Sequence, residues 1–172
     1  NGEFIESGIQ NGKSYKMYYK SDNDVVGFLI EYTLEDVVVL HEDVAELYWT
    51  FLGSDFDDPI YDLQIKVHLP KEDSSGLFRA WAHGDLTGNI EFLDKQTLLA
   101  TVNKVAANTA IDIRTTFDAS LMNESLVSKK TNEVALNKII EVEEERAKDA
   151  NLLREKNARN LLIANTLCII YI

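Results

Sequence analysis

The sequence of 172 residues contains one cysteine, two prolines and eight glycines. A single cysteine, Cys168, cannot form a disulfide within the chain, and it excludes a metal site built from several cysteines. So few prolines and glycines exclude collagen-like and low-complexity chains. Basic residues are also scarce, since 17 Lys and Arg stand against 29 Asp and Glu and give a formal net charge of −12. This acidic balance argues against nucleic acid and anionic lipid as partners of the folded part.

Motifs for catalysis or nucleotide binding are missing as well. The sequence has no G-x-S-x-G, no phosphate-binding loop and no G-x-G-x-x-G. Its three histidines, His41, His68 and His83, have no imidazole partner two or four residues further on, so there is no local zinc motif. From motifs we therefore predict no catalytic residue, no cofactor and no metal ligand.

Charge and composition divide the chain near residue 120. Residues 121–160 contain eight acidic and eight basic residues, which leaves the other 21 acidic and nine basic residues to residues 1–120. Residues 1–120 also hold both tryptophans, all seven phenylalanines and both prolines. The second stretch has no aromatic residue, glycine or proline and can form one long helix, whereas the first cannot.

Residues 1–120 have the patterns of short β-strands. In residues 60–69 five apolar side chains alternate with four polar ones, which is typical of a half-buried antiparallel strand, and Pro70 ends the run. Residues 25–34 are rich in β-branched and aromatic residues and predict another strand. Turn sequences separate these runs without helices between them, so we predict an antiparallel β-sandwich. The exception is residues 43–46, whose capping-box spacing predicts a single helical turn.

The end of the chain predicts a long helix directed at a membrane. From about Asn123 the residues are good helix formers, and we expect a charged helix over residues 121–160 with one face on the sandwich. Residues 161–172 carry no charge. As a helix they span about 18 Å, less than the roughly 30 Å of a hydrocarbon core, so we expect the start of a transmembrane helix in a fragment of a longer protein. The alternative is a buried terminal helix or strand docked on the sheet.

Three segments together resemble a known family. They are residues 43–53, which read DVAELYWTFLG, the strand of residues 60–70, which ends in Leu-Pro, and residues 80–84, which read AWAHG. Their order and spacing resemble the predicted bacterial membrane proteins called domain of unknown function 2207, the YciQ-like proteins. The resemblance covers roughly residues 15–120. It implies an extracytoplasmic β-rich domain tethered to the plasma membrane, with the family's first strands missing here, and it implies no activity.

Two clusters of residues are candidates for a site. Asp43, Glu46, Tyr48 and Trp49 suit either a polar site beside an aromatic ring, for a glycan or peptide, or a pair of carboxylates for acid–base chemistry. We favour a structural interpretation, in which the two acids cap a turn and Trp49 belongs to the core. The second cluster follows Gly53 in a loop and suits either Ca²⁺ or solvent, of which we favour solvent. It comprises Asp55, Asp57 and Asp58.

We therefore expect a non-enzymatic interaction or sensing module on the extracytoplasmic side of the plasma membrane. The C-terminal helix would hold it at the membrane, and a protein at the cell surface would be its partner, with the oligomeric state open. One alternative is a cell-envelope hydrolase, which needs two carboxyls about 5–9 Å apart in a pocket. Its candidates are Asp43, Glu46, Asp55 and Asp57. The other alternative is a structural subunit of a membrane complex, which needs an exposed apolar patch.

Overall fold

Two compact units make up the chain. In the computed structural model they comprise Asn1–Leu34 and Glu35–Ile172. The residues that the structure describes are 4–10, 14–19 and 22–170.

The first unit contains a hairpin and an irregular segment. Strands β1 (Phe4–Gln10) and β2 (Ser14–Tyr19) pair in antiparallel fashion. Residues 25–34, which we predicted to be a strand, have no regular secondary structure, so this prediction is wrong. Their β-branched and aromatic residues favour a strand only where a neighbouring strand and a packed face are available, and no strand of the described ranges pairs with them.

The second unit contains seven antiparallel strands in two sheets. The four-stranded sheet has the order β3-β4-β9-β6, and the three-stranded sheet has the order β5-β8-β7. The strands are β3 (Val38–Leu40), β4 (Ala45–Leu52), β5 (Ile60–His68), β6 (Arg79–His83), β7 (Asn89–Phe92), β8 (Thr97–Val105) and β9 (Ile111–Phe117).

The two sheets share one apolar core, which confirms the predicted mainly β fold. Leu52, Ile111 and Ile113 come from the four-stranded sheet and are buried against side chains of the three-stranded sheet. The three-stranded sheet contributes Ile65, Val67, Leu98, Ala100, Val102 and Val105. Apolar burial on facing sheets is the packing expected of a β-sandwich.

Strand β5 follows its predicted alternation except at its start. Leu63 packs against the core and Ile65 and Val67 are buried in it, but Tyr61 is 62% exposed. Asp62 has a φ of 53°, and Ile60 takes the core-facing place instead of Tyr61. The backbone at Asp62 therefore moves the apolar face by one residue, a change that alternation alone does not predict.

The helix begins later than predicted. Residues 45–52 form β4 instead of following a helical turn, and the stretch after Phe117 contains two 3-10 turns, Ala119–Leu121 and Glu124–Leu126. Next, the backbone of Leu40 donates to the carbonyl of Lys129 and accepts from the amide of Thr131, so this stretch lies along β3. Helix α1 (Leu136–Ile170) follows and is 35 residues long. Within the described ranges, no helix combines the length and apolar character needed to cross a membrane.

Candidate functional site

The outer face of the four-stranded sheet carries polar and aromatic side chains instead of an apolar surface. The register places Tyr48 of β4 and Trp81 of β6 on either side of Arg114 of β9. Helix α1 packs over this face, where Val44 of the β3–β4 connection and Ile139 of the helix are buried. The interface between the sheet and α1 is therefore partly apolar and, around Arg114, strongly polar.

Glu143 of α1 is the centre of this polar interface. Its side chain is only 1% exposed. One carboxylate oxygen accepts from Arg114 Nη1 at 2.9 Å and from Arg146 Nη1 at 3.2 Å, and the other lies 2.7 Å from Nε2 of His83. Two strands and the helix itself thus contribute to one carboxylate, and a charge buried in this way depends on those partners.

Glu46 holds the other end of the Arg114 guanidinium. Its carboxylate accepts from Arg114 Nε at 2.6 Å and lies 2.9 Å from Nε2 of His41. The second ring nitrogen of His41 lies 2.7 Å from the Thr131 hydroxyl, in the stretch that leads to α1. We call the chain of contacts from His41 through Glu46, Arg114 and Glu143 to His83 the interface network.

The interface network keeps its central charges ionised. Burial alone would raise the pKa of Glu143, but the hydrogen bonds from Arg114 and His83 outweigh it and lower the pKa. Burial likewise opposes the charge of Arg114, yet the hydrogen bonds to Glu143 and Glu46 raise its pKa. Each carboxylate is therefore stabilised by the guanidinium between them, and the loss of that guanidinium would leave two acids close together.

Asp43 positions the start of the helix. Its carboxylate accepts from the backbone amide of Ala135 at 2.8 Å and from that of Leu136 at 3.1 Å. Although burial opposes the charge, these bonds lower the pKa of Asp43. The prediction that Asp43 caps a turn of residues 43–46 is wrong, because residues 45 and 46 belong to β4. Asp43 instead caps α1, which begins 93 residues later in the chain. Glu46 does not cap a turn, because it is paired with Arg114.

The two aromatic candidates have different environments. The Arg114 and Arg146 guanidinium carbons lie 5.3 Å and 5.9 Å from the centre of the Tyr48 ring, within the range of cation–π attraction. The edge of the Tyr48 ring also meets His83, with 5.7 Å between ring centres. Trp49 is only half-buried instead of belonging to the apolar core. The polar cluster predicted around Asp43 thus belongs mainly to a helix-binding surface.

Two cavities flank strand β6. One has a volume of about 150 Å³ and opens between the two sheets, with apolar walls that include Ile65, Ile90 and Val102. The other has a volume of about 340 Å³ and lies between β6 and α1, with Arg146 among its lining residues. Both cavities are lined by Ala82, His83, Asp85, Ile90 and Arg154.

The other predicted candidates do not converge. Asp55, Asp57 and Asp58 are exposed in the β4–β5 loop, and within the described ranges no group of three acids, histidines or cysteines is placed to hold a metal ion. His68 bonds the Thr97 hydroxyl at 2.8 Å. Cys168 lies where the structure describes only the backbone of α1.

The carboxylates proposed for hydrolysis do not form an acid–base pair. Asp43 accepts from backbone amides and Glu46 is paired with Arg114, while Asp55 and Asp57 are exposed. None of these four residues lines either cavity beside β6. The hydrolase alternative required two of them in one pocket, and this requirement is not met in these cavities.

Sequence reasoning missed Arg114 and Glu143 as site residues. In the sequence Arg114 alternates with Ile111 and Ile113, which is typical of a polar residue on the solvent face of a strand. Glu143 lies in an acidic run that is typical of a solvated surface. One signal was available for Glu143. It follows Ile139 by four residues and precedes Ala150 by seven, so the helical spacing places it on the face that carries apolar residues. In the structure Ile139 is buried and this is the packed face of α1.

Comparison with known proteins identifies the family of this chain but no individual relative. The family model described as predicted membrane protein (DUF2207) N-terminal domain matches residues 3–117, more than half of the chain. No curated protein and no solved structure matches. The matched range includes His41, Glu46, His83 and Arg114 of the interface network, while Glu143 lies outside it. The chain belongs to the DUF2207 family of predicted membrane proteins, as its three sequence segments suggested.

Proposed function

We propose that this chain is the extracytoplasmic domain of a membrane-anchored protein, acting as an interaction or sensing module that transmits the position of its sandwich to helix α1. The observation that carries the proposal is Glu143, which is buried on the helix and bonded by Arg114 and His83 of the sheet. No catalytic constellation competes with this role in the cavities beside β6.

The interface network favours two discrete arrangements of α1. In the docked arrangement each buried charge has its partners. A helix shifted by part of a turn would leave Glu143 or Arg114 buried without its partner, which costs several kcal/mol, about 3–5 in measured cases. Only docking or full release into water satisfies these groups. A bound partner that moves β6 or β9 would therefore shift α1 between two states rather than gradually.

The course of α1 supports a connection to the membrane. The last contact of α1 with the sandwich among the described hydrogen bonds is that of Arg154 with the Leu86 carbonyl at 2.9 Å, and residues 155–161 beyond it are exposed. Residues 161–170 carry no charge, and the family is one of predicted membrane proteins. A stiff helix of 35 residues is about 50 Å long and can carry a change of position over that distance.

Spin-label distances test the coupling. Labels at Lys66→Cys on β5 and Lys156→Cys on α1, in a Cys168→Ser background in membranes, report the position of the helix relative to the sandwich. We expect one narrow distance distribution in this parent and a broad one when Glu143→Gln is added. Glu144→Gln is the matched control, since its carboxylate is exposed, and it should keep the narrow distribution. An unchanged distribution in the Glu143→Gln protein would exclude the coupling role.

Chemical labelling tests the side of the membrane. In intact cells a membrane-impermeant maleimide should label Lys66→Cys in the Cys168→Ser background without permeabilisation, because Lys66 is exposed on the sandwich. Labelling only after permeabilisation would place the domain on the cytoplasmic side and overturn the proposed address.

A structural subunit of a membrane complex is the second candidate. It is favoured by Leu152, Leu153 and Leu161 of α1, which are 64%, 46% and 64% exposed. A photo-crosslinker at Leu153 should then capture the same neighbouring subunit in every condition, whereas a sensing module should give a crosslink that depends on the ligand state.

A further inference from the structure

We propose that the sandwich binds one short aliphatic carboxylic acid at the end of β6, with the carboxylate on Arg154 of α1 and the aliphatic chain between the two sheets. The proposal deepens the proposed function and rests on it, because it names the class of ligand that a sensing module would detect. Its starting point is a single region that the strands and the helix line together.

The region is continuous and has an inner and an outer part. The inner part is the cavity between the sheets, and the outer part is the cavity between β6 and α1. The same five residues line both parts, so they form a junction between them, and one ligand at the junction reaches both. These residues are Ala82, His83, Asp85, Ile90 and Arg154.

The inner part has aliphatic walls. Of the described residues that line it and not the outer part, Asn89 alone carries a polar side chain. Leu63 and Ile90 are half-buried, so these walls continue from the apolar core toward the surface. An aliphatic group that displaces water from such walls gains free energy by the hydrophobic effect. The buried wall residues are Ile65, Ala100, Val102 and Ile111.

The volume of the inner part limits the size of the ligand. It is about 150 Å³, and an apolar cavity of roughly 150 Å³ in another protein binds benzene. Pockets that enclose drug-sized ligands have roughly 300–1,000 Å³. An aliphatic chain of about five carbon atoms therefore fits the inner part, whereas a long acyl chain does not.

Arg154 supplies the group that binds the carboxylate at the junction. Its Nε donates to the Leu86 carbonyl at 2.9 Å, and its Nη1 donates to Asn151 Oδ1 at 3.0 Å. Both acceptors are neutral, and within the described ranges Arg154 forms no ion pair. Since a guanidinium has several N–H donors, these two bonds orient Arg154 without exhausting its capacity for a carboxylate.

The acidic residues of the region are engaged elsewhere. At the junction, Asp85 Oδ1 accepts from the amide and from the hydroxyl of Thr87. In the outer part, Glu143 is paired with two arginines. Because the whole chain has a net charge of −12, a general attraction for anions is not expected. Selective binding of a carboxylate would therefore report a local interaction with Arg154.

A ligand in this region would join the helix to the sandwich. Arg154 belongs to α1, whereas the aliphatic walls of the inner part belong to strands of the two sheets. A ligand that contacts both binds the docked arrangement of α1 better than the released one, so it shifts the equilibrium toward docking. The signal would then be the presence of the acid, and the response would be the position of α1.

Titration with small acids and alcohols tests the site, using the full chain in lipid nanodiscs at about pH 7, where a carboxylic acid is ionised. The probe is hexanoate. Hexan-1-ol has the same chain length without the charge, and acetate has the charge without the chain. In ligand-observed NMR, corrected for binding to empty nanodiscs, we expect saturable binding of hexanoate that is at least about tenfold tighter than that of either control.

Three variants localise the binding. Arg154→Gln should weaken the binding of hexanoate by about tenfold or more and leave that of hexan-1-ol nearly unchanged, because it removes only the charge. Arg159→Gln is the matched control, since this arginine is exposed on the same helix outside both cavities, and it should bind hexanoate as the parent does. Ala100→Leu narrows the inner part and should abolish binding of hexanoate. If this variant does not fold, the two arginine variants still decide.

Spin labels connect the site to α1. In the Glu143→Gln protein, whose distance distribution we expect to be broad, saturating hexanoate should narrow the distribution. When Arg154→Gln is added, hexanoate should no longer narrow it. A distribution that stays broad with hexanoate bound would overturn the shift toward docking.

Several outcomes would overturn the proposed site. They are no saturable binding of hexanoate below about 10 mM, equal binding of hexanoate and hexan-1-ol, equal binding of hexanoate and acetate, or equal weakening in the two arginine variants. If hexanoate fails while the spin labels still report a coupled helix, only this inference fails. If hexanoate binds as expected while Glu143→Gln leaves the distance distribution narrow, the site stands and only the coupling role fails.

Discussion

The two faces of the four-stranded sheet are packed by different chemistry, and neighbouring residues of β9 show it. Ile113 is 0% exposed and belongs to the apolar core between the sheets. Arg114 points to the other face and bonds Glu46 and Glu143. Apolar burial is non-directional, so it holds the sheets together without fixing one geometry as strictly as hydrogen-bonded charges do.

This difference separates stability from orientation. A buried ion pair is often replaceable by apolar residues with no loss of stability, so the interface network is not needed to make α1 adhere. In the docked position Glu143 has all of its partners, and we expect this to favour one position of the helix over others. The inner face of the four-stranded sheet, which faces the apolar core, therefore holds the two sheets together. The outer face, which faces α1, positions the helix on the sandwich.

Among these variants, Arg114→Met should lower the free energy of unfolding most. It leaves Glu46 and Glu143 without the guanidinium that separates them, and we expect the free energy of unfolding to fall by about 4 kcal/mol. Urea unfolding at neutral pH measures this fall in the free energy of unfolding. The triple variant Arg114→Met, Glu46→Gln and Glu143→Leu removes both acids as well and should recover most of the loss. A fall below about 1 kcal/mol in the single variant would mean that the outer face behaves as an ordinary solvated surface.

Ile113→Ala should have a somewhat smaller effect of a different kind. The lost packing and the cavity left between the sheets should lower the free energy of unfolding by about 3 kcal/mol, and Ile113→Val should lower it by about 1 kcal/mol. The spin-label distance between the sandwich and α1 should stay narrow in both variants, since the interface network is intact. A broadened distance would mean that the inner face also positions the helix.

The inner face was largely predictable from the sequence, because its pattern is local. Alternation in residues 60–69 identified Leu63, Ile65 and Val67 as core-facing, and the only shift came from the backbone at Asp62. Short strands with turns between them were sufficient to predict a sandwich. The strand predicted for residues 25–34 is wrong because strand formation also depends on a partner strand, which local composition does not report.

The outer face was not predictable, because its contacts join residues far apart in the chain. Arg114 and Glu143 are 29 residues apart, and Asp43 and Leu136 are 93 residues apart. The start of the helix was missed for the same reason, since the Asp43 cap comes from the β3–β4 connection and residues 129–131 lie along β3. Helix propensity alone placed the start near Asn123. The motif of residues 43–49 was recognisable, but its purpose depends on the tertiary structure.

Asp43→Ala should have a smaller effect, confined to the start of α1. Two backbone amides lose their acceptor, which should cost about 1 kcal/mol and speed hydrogen exchange in the first turn. Asp43→Asn retains an acceptor oxygen and should lie close to the parent. If both variants match the parent in exchange at Ala135 and Leu136, water replaces the cap and Asp43 does not position the helix.

The smallest effect should appear in the pH dependence of stability. Because the pKa of Glu143 is lowered in the folded state, its contribution is present above the unfolded value near 4.5 and is lost as the pH falls through the folded value. The charged groups that face it are Arg114 and Arg146, and the imidazole of His83 faces it as well. The difference in unfolding free energy between the parent and Glu143→Gln should therefore shrink below about pH 4.5.

Urea titrations from about pH 7 to about pH 3 measure this difference. In the control variant, the exposed Glu144→Gln, the unfolding free energy should depend on pH as it does in the parent. Asp73, whose pKa is also lowered, is common to all three proteins, so its titration cancels in the comparison. A difference that stays constant over the whole range would show that Glu143 titrates on the outer face as it does in the unfolded chain, and the contrast between the two faces would then be one of shape and not of charge.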